Sequence, residues 1–196
     1  MPLWFSIAKR LADIFISSLV LIIFSPLYLY VAIRVKLSSK GPILYKQERI
    51  GWHGKPFMIF KFRSMYLDSE KNGPMLSNDH DDRCTPWGKT IRKYRLDEIP
   101  QFWNVLIGDM SLVGPRPERK FFIDQIAEKA PHVRQLQKVR PGITSWGQVK
   151  YGYASNVDEM IQRLKYDILY IENISLALDL KIIFYTIVVI LQGRGK

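Results

Sequence analysis

The stretch from Gly88 to Pro117 concentrates the residues that could carry out chemistry. Two adjacent acids, Asp97 and Glu98, stand there among five basic residues: Arg92, Lys93, Arg95, Arg116 and Arg119. Consecutive side chains on a helix diverge by about 100°, so the two carboxylates are expected to do different work rather than share one proton. Phosphoryl transfer suits such a division, because one acid can attack phosphorus to form an acyl phosphate while the other holds Mg²⁺ against the phosphate oxygens. Nearby arginines would bind the equatorial oxygens.

A structural interpretation of the same pair stays open at this point. Asp97 has the side chain of a helix N-cap, and Glu98 would be favoured by the dipole of the helix that follows. The two interpretations are compatible, because the start of a helix also attracts anions.

Further basic residues could bind phosphate or carboxylate groups. The run Pro115-Arg116-Pro117 holds an arginine between two fixed φ angles, which pre-positions a bidentate guanidinium. Lys61 and Arg63 share one face of a predicted strand, and Arg140 lies on a Pro-Gly turn. The alternative is a rigid connecting turn with an exposed arginine, and solvated surface charge at the other three positions.

The elements that must position these residues begin with an apolar stretch, Leu11–Val35, that is interrupted at Ser25-Pro26. Its length could just cross a bilayer, but Pro26 should kink a helix there. Basic residues stand at both ends of the stretch, which suits a re-entrant helix that enters the membrane, turns near Ser25-Pro26 and returns to the same face. The Ser25 hydroxyl could then accept a backbone hydrogen bond freed at the break. An ordinary kinked spanning helix is the alternative.

The rest of the chain predicts a mainly helical α+β fold with one β-hairpin. The predicted strands are 43–49 and 56–63, joined through a turn at 51–54, and residues 67–87 are expected to form a polar loop over a site. Helical patterns cover 87–94, a segment beginning at 96–97, 118–138 with a break at Pro131, 156–173 and 176–191. The last of these is expected to be an amphipathic helix in the membrane interface, with a buried terminal helix as the alternative.

The predicted organisation therefore has three segments. Residues 1–40 form the re-entrant membrane helix, 41–175 form a small globular catalytic domain on the cytoplasmic side, and 176–196 form the C-terminal interfacial helix.

The charge balance indicates which classes of partner the protein favours. The chain has 196 residues, 29 of them Lys or Arg against 18 Asp or Glu, and a net charge of +11. Such a surplus favours anionic partners, and beside an apolar anchor these are an anionic lipid membrane and phosphorylated substrates rather than nucleic acid. A single cysteine, Cys84, excludes an intrachain disulfide framework. The sequence has no Walker A, GxSxG or GxGxxG pattern, so the hydrolytic triads and nucleotide folds that carry them are unsupported.

Taken together, these residues resemble the bacterial sugar transferase family, the monotopic phosphoglycosyl transferases. The resemblance covers the chain from about residue 5 to 191. It rests on KRLADIFIS…FSP, YKQERIG, FKFRSM, IRKYRLDEIPQFWNVLIGDMSLVGPRPE, VRPGIT and YIENISLALDLKII. One departure is Ser145, where the family usually has Gly after RPGIT.

The resemblance implies a two-step reaction. Asp97 would attack the sugar-bearing phosphate of a UDP-sugar and release UMP, and undecaprenyl or another polyprenyl phosphate would then accept the sugar 1-phosphate, which starts surface glycan or exopolysaccharide assembly. It further implies that Glu98 binds Mg²⁺, that Lys61, Arg92 and the Pro115-Arg116-Pro117 turn line the phosphate site, and that Ser25-Pro26 breaks the membrane helix.

The resemblance also implies a location at the cytoplasmic face of the bacterial inner membrane. A homodimer is a possible state, and larger members carry extra N-terminal regions, so the chain is expected to be a minimal enzyme or the catalytic part of a longer one. The rival functions are a non-catalytic, polybasic membrane adaptor and a soluble nucleic-acid-binding domain that uses Trp52, Trp87 and Trp103. We expect no nucleic-acid partner.

Overall fold

Two N-terminal helices, α1 (Leu3–Ile23) and α2 (Ser25–Ser38), meet at a bend of 64°. The structure, a computed structural model, describes residues 3–71, 73–77 and 81–193. Pro26 lies in the first turn of α2, where its missing N–H would be unpaired in any case. Phe24 donates its N–H to Val20 at 2.9 Å and accepts from Tyr28 at 2.8 Å, so the backbone rather than the Ser25 hydroxyl carries hydrogen bonding across the bend.

Among the described helices, none is long and apolar enough to cross a membrane alone. The bent pair formed by α1 and α2 passes the same test on length and composition.

An antiparallel hairpin follows, as the sequence predicts. Strands β1 (Leu44–Ile50) and β2 (Pro56–Phe62) pair from Leu44 opposite Phe62 to Ile50 opposite Pro56, and a 3₁₀ turn at Trp52–Gly54 joins them. The expected polar loop comes next and leads into α3 (Pro86–Lys93), whose N-cap Thr85 accepts a hydrogen bond from the Gly88 N–H.

The second half of the chain contains two short strands that the sequence pattern does not predict. Strand β3 (Ser111–Val113) follows helix α4 (Gln101–Ile107) and runs parallel to β4 (Gly142–Thr144). Between them lie α5 (Lys120–Lys129) and a 3₁₀ helix at Pro131–Lys138, so the chain does break at Pro131. Helices α6 (Trp146–Lys150), α7 (Val157–Glu172) and α8 (Leu176–Leu191) complete the fold.

The N-terminal helices pack against the rest of the molecule through apolar and polar contacts. Val31 and Val35 of α2 share a core with Phe62 and Ile91. Arg10 of α1 donates to the last carbonyls of α4, Val105 at 2.6 Å and Leu106 at 2.9 Å. These bonds satisfy carbonyl groups that a helix end otherwise leaves unpaired.

A second polar contact joins α1 to β3. The buried Asp13 carboxylate accepts a hydrogen bond from the Leu112 N–H at 3.0 Å. The adjacent Lys9 ammonium forms an ion pair with Asp179 of α8 at 2.5 Å. The first helix is thus held in register with both the second sheet and the C-terminal helix.

Helix α8 differs from the expected amphipathic helix. Its inner side packs on α6, β3 and β4, with Ile182 fully buried. Its outer side is also apolar and exposed, at Leu180, Phe184, Ile187 and Leu191. Asp179 is turned inward, where it accepts hydrogen bonds from Lys9 and Tyr170.

Candidate active site

Asp97 and Glu98 lie in a 3₁₀ turn, Leu96–Glu98, between α3 and α4. Arg95, just before the turn, has a left-handed backbone with φ of 53°, which is uncommon for a residue with a side chain and tends to occur at functional sites. The N-cap of α4 is Pro100, and no side chain caps that helix. Asp97 is therefore not the helix cap that the alternative interpretation requires, and both carboxylates are buried instead.

Glu98 is the centre of a buried cluster of cations. Its carboxylate pairs with Lys61 at 2.8 Å, Arg95 at 3.3 Å and Arg116 at 3.8 Å. Burial opposes ionisation of Glu98, but the positive charges of Lys61, Arg95 and Arg116 outweigh it and hold the pKa of Glu98 well below its usual range. Glu98 is thus a fixed negative charge at any physiological pH.

The pKa of Asp97 is shifted in the opposite direction from that of Glu98. Burial, opposed by Lys61 and reinforced by the negative charge of Glu98, raises the pKa of Asp97 to about 6. Its carboxylate has no hydrogen bond or ion pair with the residues that the structure describes. At neutral pH it is still mainly ionised, so it combines a negative charge with weak solvation, the properties of an activated nucleophile.

Both acids open into a cavity of about 220 Å³. Its wall includes Lys61, Arg92, Asp97, Glu98 and Arg116, all of which the sequence analysis selected. The polar loop expected at 67–87 forms another wall with residues 67, 69–70 and 75–77, and residues 64–66 extend that wall. Two side-chain contacts hold the loop there: Arg92 donates to Ser77 at 2.6 Å and Arg119 pairs with Glu70 at 2.6 Å.

The other predicted phosphate-binding residues are placed differently. Arg63 borders the cavity, but its guanidinium donates to the carbonyls of Lys40, Ser39 and Val35 at the end of α2. Arg140 lies away from the cavity, where it donates to the Gly108 carbonyl at 3.0 Å and stacks on Trp52. Both guanidiniums therefore serve as contacts within the fold in this structure.

Pro115 and Pro117 act through the backbone. The Pro115 carbonyl accepts from Gly142 at 2.9 Å, and the Pro117 carbonyl accepts from Arg49 at 3.1 Å. These bonds fix the turn from which Arg116 reaches Glu98, so the predicted rigidity of the Pro-Arg-Pro run has a structural counterpart.

Several cavity residues were not among the sequence candidates: Arg49, Tyr153, Arg163 and Glu118. Arg49 had a usable signal, because Tyr45, Gln47 and Arg49 alternate along β1 and all three line the cavity. Arg163 and Tyr153 come from distant parts of the chain, and no local pattern marks them. Tyr153 faces the guanidiniums of Arg95 at 5.4 Å and Arg116 at 5.9 Å from its ring centre.

The residues fit Mg²⁺ only as an ion carried on substrate phosphates. In the described ranges, no three His, Cys, Asp or Glu side chains are grouped to hold a metal. Magnesium commonly binds through one or two carboxylates plus phosphate oxygens and water, and the adjacent Asp97 and Glu98 meet that smaller requirement. Glu98 would have to exchange an ion pair with Lys61 or Arg95 to take part.

Comparison with known proteins identifies the family of this chain. A family model described as Bacterial sugar transferase matches residues 4–193. The chain is 46% identical to a UDP-N-acetylgalactosamine-undecaprenyl-phosphate N-acetylgalactosaminephosphotransferase of Aeromonas hydrophila. That alignment covers 97% of this chain and 45% of the Aeromonas protein. It is 44% identical to a UDP-glucose:undecaprenyl-phosphate glucose-1-phosphate transferase of Klebsiella pneumoniae, in an alignment that covers 91% of this chain and 39% of the Klebsiella protein.

A shorter relative matches almost end to end. The Uncharacterized sugar transferase EpsL of Bacillus subtilis is 37% identical over 96% of this chain and 90% of its own length. The chain spans less than half the length of the Aeromonas and Klebsiella proteins. The match over nearly all of its own residues shows that the chain belongs to the bacterial sugar transferase family.

Proposed function

We propose that this protein is a phosphoglycosyl transferase that moves a sugar 1-phosphate from a UDP-sugar to undecaprenyl phosphate or a related polyprenyl phosphate. The observation that carries the proposal is the buried Asp97 carboxylate, which has no ion-pair partner among the described residues, at the wall of a cation-rich cavity. The names of the relatives support the two substrate classes.

In the first step, an Asp97 carboxylate oxygen attacks the phosphorus that bears the sugar. The bond from that phosphorus to the bridging oxygen of the diphosphate breaks, and the leaving group departs as UMP. In the second step, an oxygen of the lipid phosphate attacks the same phosphorus and releases Asp97 as a carboxylate. Both the nucleophile and the leaving group are already anionic at neutral pH, so neither step needs a strong general base or acid.

Lys61, Arg92 and Arg116 would neutralise charge on the phosphate oxygens in both steps. Glu98 holds Lys61 and Arg116 at the cavity wall, which makes it a positioning residue as well as a candidate ligand for Mg²⁺. When bound with the diphosphate, Mg²⁺ would supply further charge neutralisation.

The bent helix pair supports a re-entrant membrane segment. Large apolar side chains are exposed on α1, α2 and α8, including Phe15, Ile22, Leu37, Leu180 and Phe184. Exposed apolar surface of this extent favours a lipid contact, which would bring the cavity to the cytoplasmic face of the bacterial inner membrane. Whether the protein acts as a homodimer stays a prediction.

The test is the substitution Asp97→Asn in the full chain, assayed with UDP-glucose or UDP-N-acetylgalactosamine and undecaprenyl phosphate in detergent. We expect UMP release to fall by at least about a thousandfold, because an amide cannot form the acyl phosphate. Without lipid phosphate, the unmodified protein should gain the mass of one sugar phosphate, and the variant should not.

The matched control is Asp124→Asn, which makes the same chemical change at an exposed carboxylate on α5. Turnover by Asp97→Asn at the rate of the control would remove Asp97 from the mechanism. Absence of UMP release by the unmodified protein with every UDP-sugar would instead favour the non-catalytic adaptor.

A further inference from the structure

A second cluster of cations lies in the cavity on the far side of Arg116 from Asp97. Its centre is Glu118, whose carboxylate accepts from Arg163 and pairs with Arg49 at 3.4 Å. Arg116 lies between the two clusters, since its Nη1 is 3.8 Å from Glu98 and its Nε is 3.8 Å from Glu118. The two clusters are therefore one guanidinium apart.

The charges around Glu118 do not balance. Three guanidiniums, those of Arg49, Arg116 and Arg163, share this one carboxylate, and their side chains are at most 17% exposed. The nearby Asp167 accepts from the backbone N–H groups of Gly147 and Arg116 and also interacts electrostatically with Arg163, but the three guanidiniums still outnumber the two carboxylates. Burying positive charge without a partner is costly, so this part of the cavity favours an anion.

The pKa of Arg49 also indicates an excess of positive charge around Glu118. Burial, and the neighbouring charges of Arg116 and Arg119 acting against Glu118, lower the pKa of Arg49 to about 10. Arg49 stays cationic at neutral pH, but its lowered pKa means that added negative charge beside it would be stabilising. Its Nε is buried and has no hydrogen-bond partner among the described residues.

The geometry points to a second phosphate subsite formed by Arg49, Arg116 and Arg163 around Glu118, separate from the attack site beside Asp97. This inference rests on the proposed function and deepens it. A nucleoside diphosphate sugar has two linked phosphates, and Arg116 lies where it would contact both. The phosphate next to Asp97 would be the one attacked, and the phosphate near Glu118 would leave with the nucleoside. The lipid phosphate is the other source of the same chemistry.

The test measures binding of UMP, uridine and a short-chain polyprenyl phosphate to the full chain by calorimetry, without turnover. We expect Arg163→Gln to weaken UMP binding by about tenfold, because it removes a buried charge-assisted contact, and to leave uridine binding unchanged. Arg163→Lys keeps the charge and should retain most of the affinity. Arg134→Gln, at an exposed arginine, is the matched control.

Glu118→Gln separates a binding role from a structural one. Removing the negative charge at the centre of this cluster should tighten UMP binding, although the protein without ligand should unfold at a lower temperature. A purely structural network predicts that Glu118→Gln and Arg163→Gln both weaken binding, and that result would overturn the subsite. Unchanged affinity of Arg163→Gln for both UMP and the polyprenyl phosphate would do the same.

The remaining outcomes are distinguishable. A loss confined to the polyprenyl phosphate would keep the subsite and assign it to the acceptor. If the unmodified protein turns over UDP-sugar while Arg163→Gln binds both UMP and the polyprenyl phosphate normally, only the subsite fails. If the unmodified protein neither binds UMP nor turns over, the proposed function fails with it.

Discussion

Asp13 in the first helix accepts a hydrogen bond from the Leu112 N–H. We predict that this bond helps to hold Arg116 in its position at the cavity. Strand β3 contains Leu112 and continues directly into the turn that carries Arg116. Asp13→Ala would leave a buried N–H without an acceptor, which costs about 1–3 kcal/mol. For a chain of 196 residues, a loss of about 2 kcal/mol lowers the Tm by about 4–8 °C.

Asp13→Asn should be milder. An amide oxygen can still accept from the Leu112 N–H, but a bond to a neutral acceptor is about half as strong as a bond to a carboxylate. We therefore expect about half the loss in Tm. Because reacting groups must be held closely, the Ala variant should also lower kcat/KM for UMP release by about tenfold or more, and the Asn variant by less.

The assay compares unfolding temperature, kcat/KM and vesicle flotation for Asp13→Ala, Asp13→Asn and the surface control Asp124→Asn. Flotation should be the same in all three, which shows that lost activity is not lost membrane binding. The reasoning would be refuted if the Ala and Asn variants were equally impaired, or if Asp13→Ala lost stability and kept its kcat/KM.

Two further predictions concern pH and metal. Hydrogen bonding to Arg83 lowers the pKa of Asp81 to about 2, below its unfolded value of about 3.9, so Asp81 stabilises the fold above about pH 4 and loses that effect as the pH falls through 2. We therefore compare the free energy of unfolding of the unmodified protein with that of Asp81→Asn. The difference should be about 2 kcal/mol at pH 6 and should disappear near pH 2. A difference that does not change with pH would contradict this prediction. Chelation with EDTA should stop UMP release and added Mg²⁺ should restore it, with thermal unfolding unchanged as the control, whereas full turnover in EDTA would exclude the ion.

Elements with a strong local pattern were predicted well from the sequence. The hairpin was expected at 43–49 and 56–63 and is observed at Leu44–Ile50 and Pro56–Phe62. The last helix was expected at 176–191, and those are its bounds. Alternation and helical periodicity are local properties, so they can be seen without knowing what each segment packs against.

The parallel pair of β3 and β4 could not be predicted in this way. Each strand has three residues, too few to show alternation, and the chain between them runs from residue 114 to 141. Their pairing depends on long-range contacts, such as the bond from the Ser111 N–H to the Pro141 carbonyl at 2.8 Å. The inward turn of Asp179 could not be predicted for a similar reason, because its partners Lys9 and Tyr170 lie on other helices.

The cavity also contains residues that the sequence predicts and residues that it does not. Lys61, Arg92, Asp97, Glu98 and Arg116 were selected because of residue type and spacing, and the structure brings them to one cavity. Arg63 was selected by the same argument, but its partners are carbonyls that only the packed α2 supplies. Glu118 and Arg163 are 45 positions apart, so their ion pair has no signature in either segment.

The use of Arg63 as a cap for α2 has a consequence for protein engineering. Strand β2 holds Lys61 against Glu98, and Arg63 follows it immediately and holds the last carbonyls of the bent helix pair. Chimeras that exchange N-terminal segments between relatives should therefore be spliced after Arg63 rather than at Gly41-Pro42. A junction at the earlier point would pair one parent's helix end with the other parent's arginine. Arg63 is only two residues from Lys61, so the mismatch would disturb the ion pair between Lys61 and Glu98.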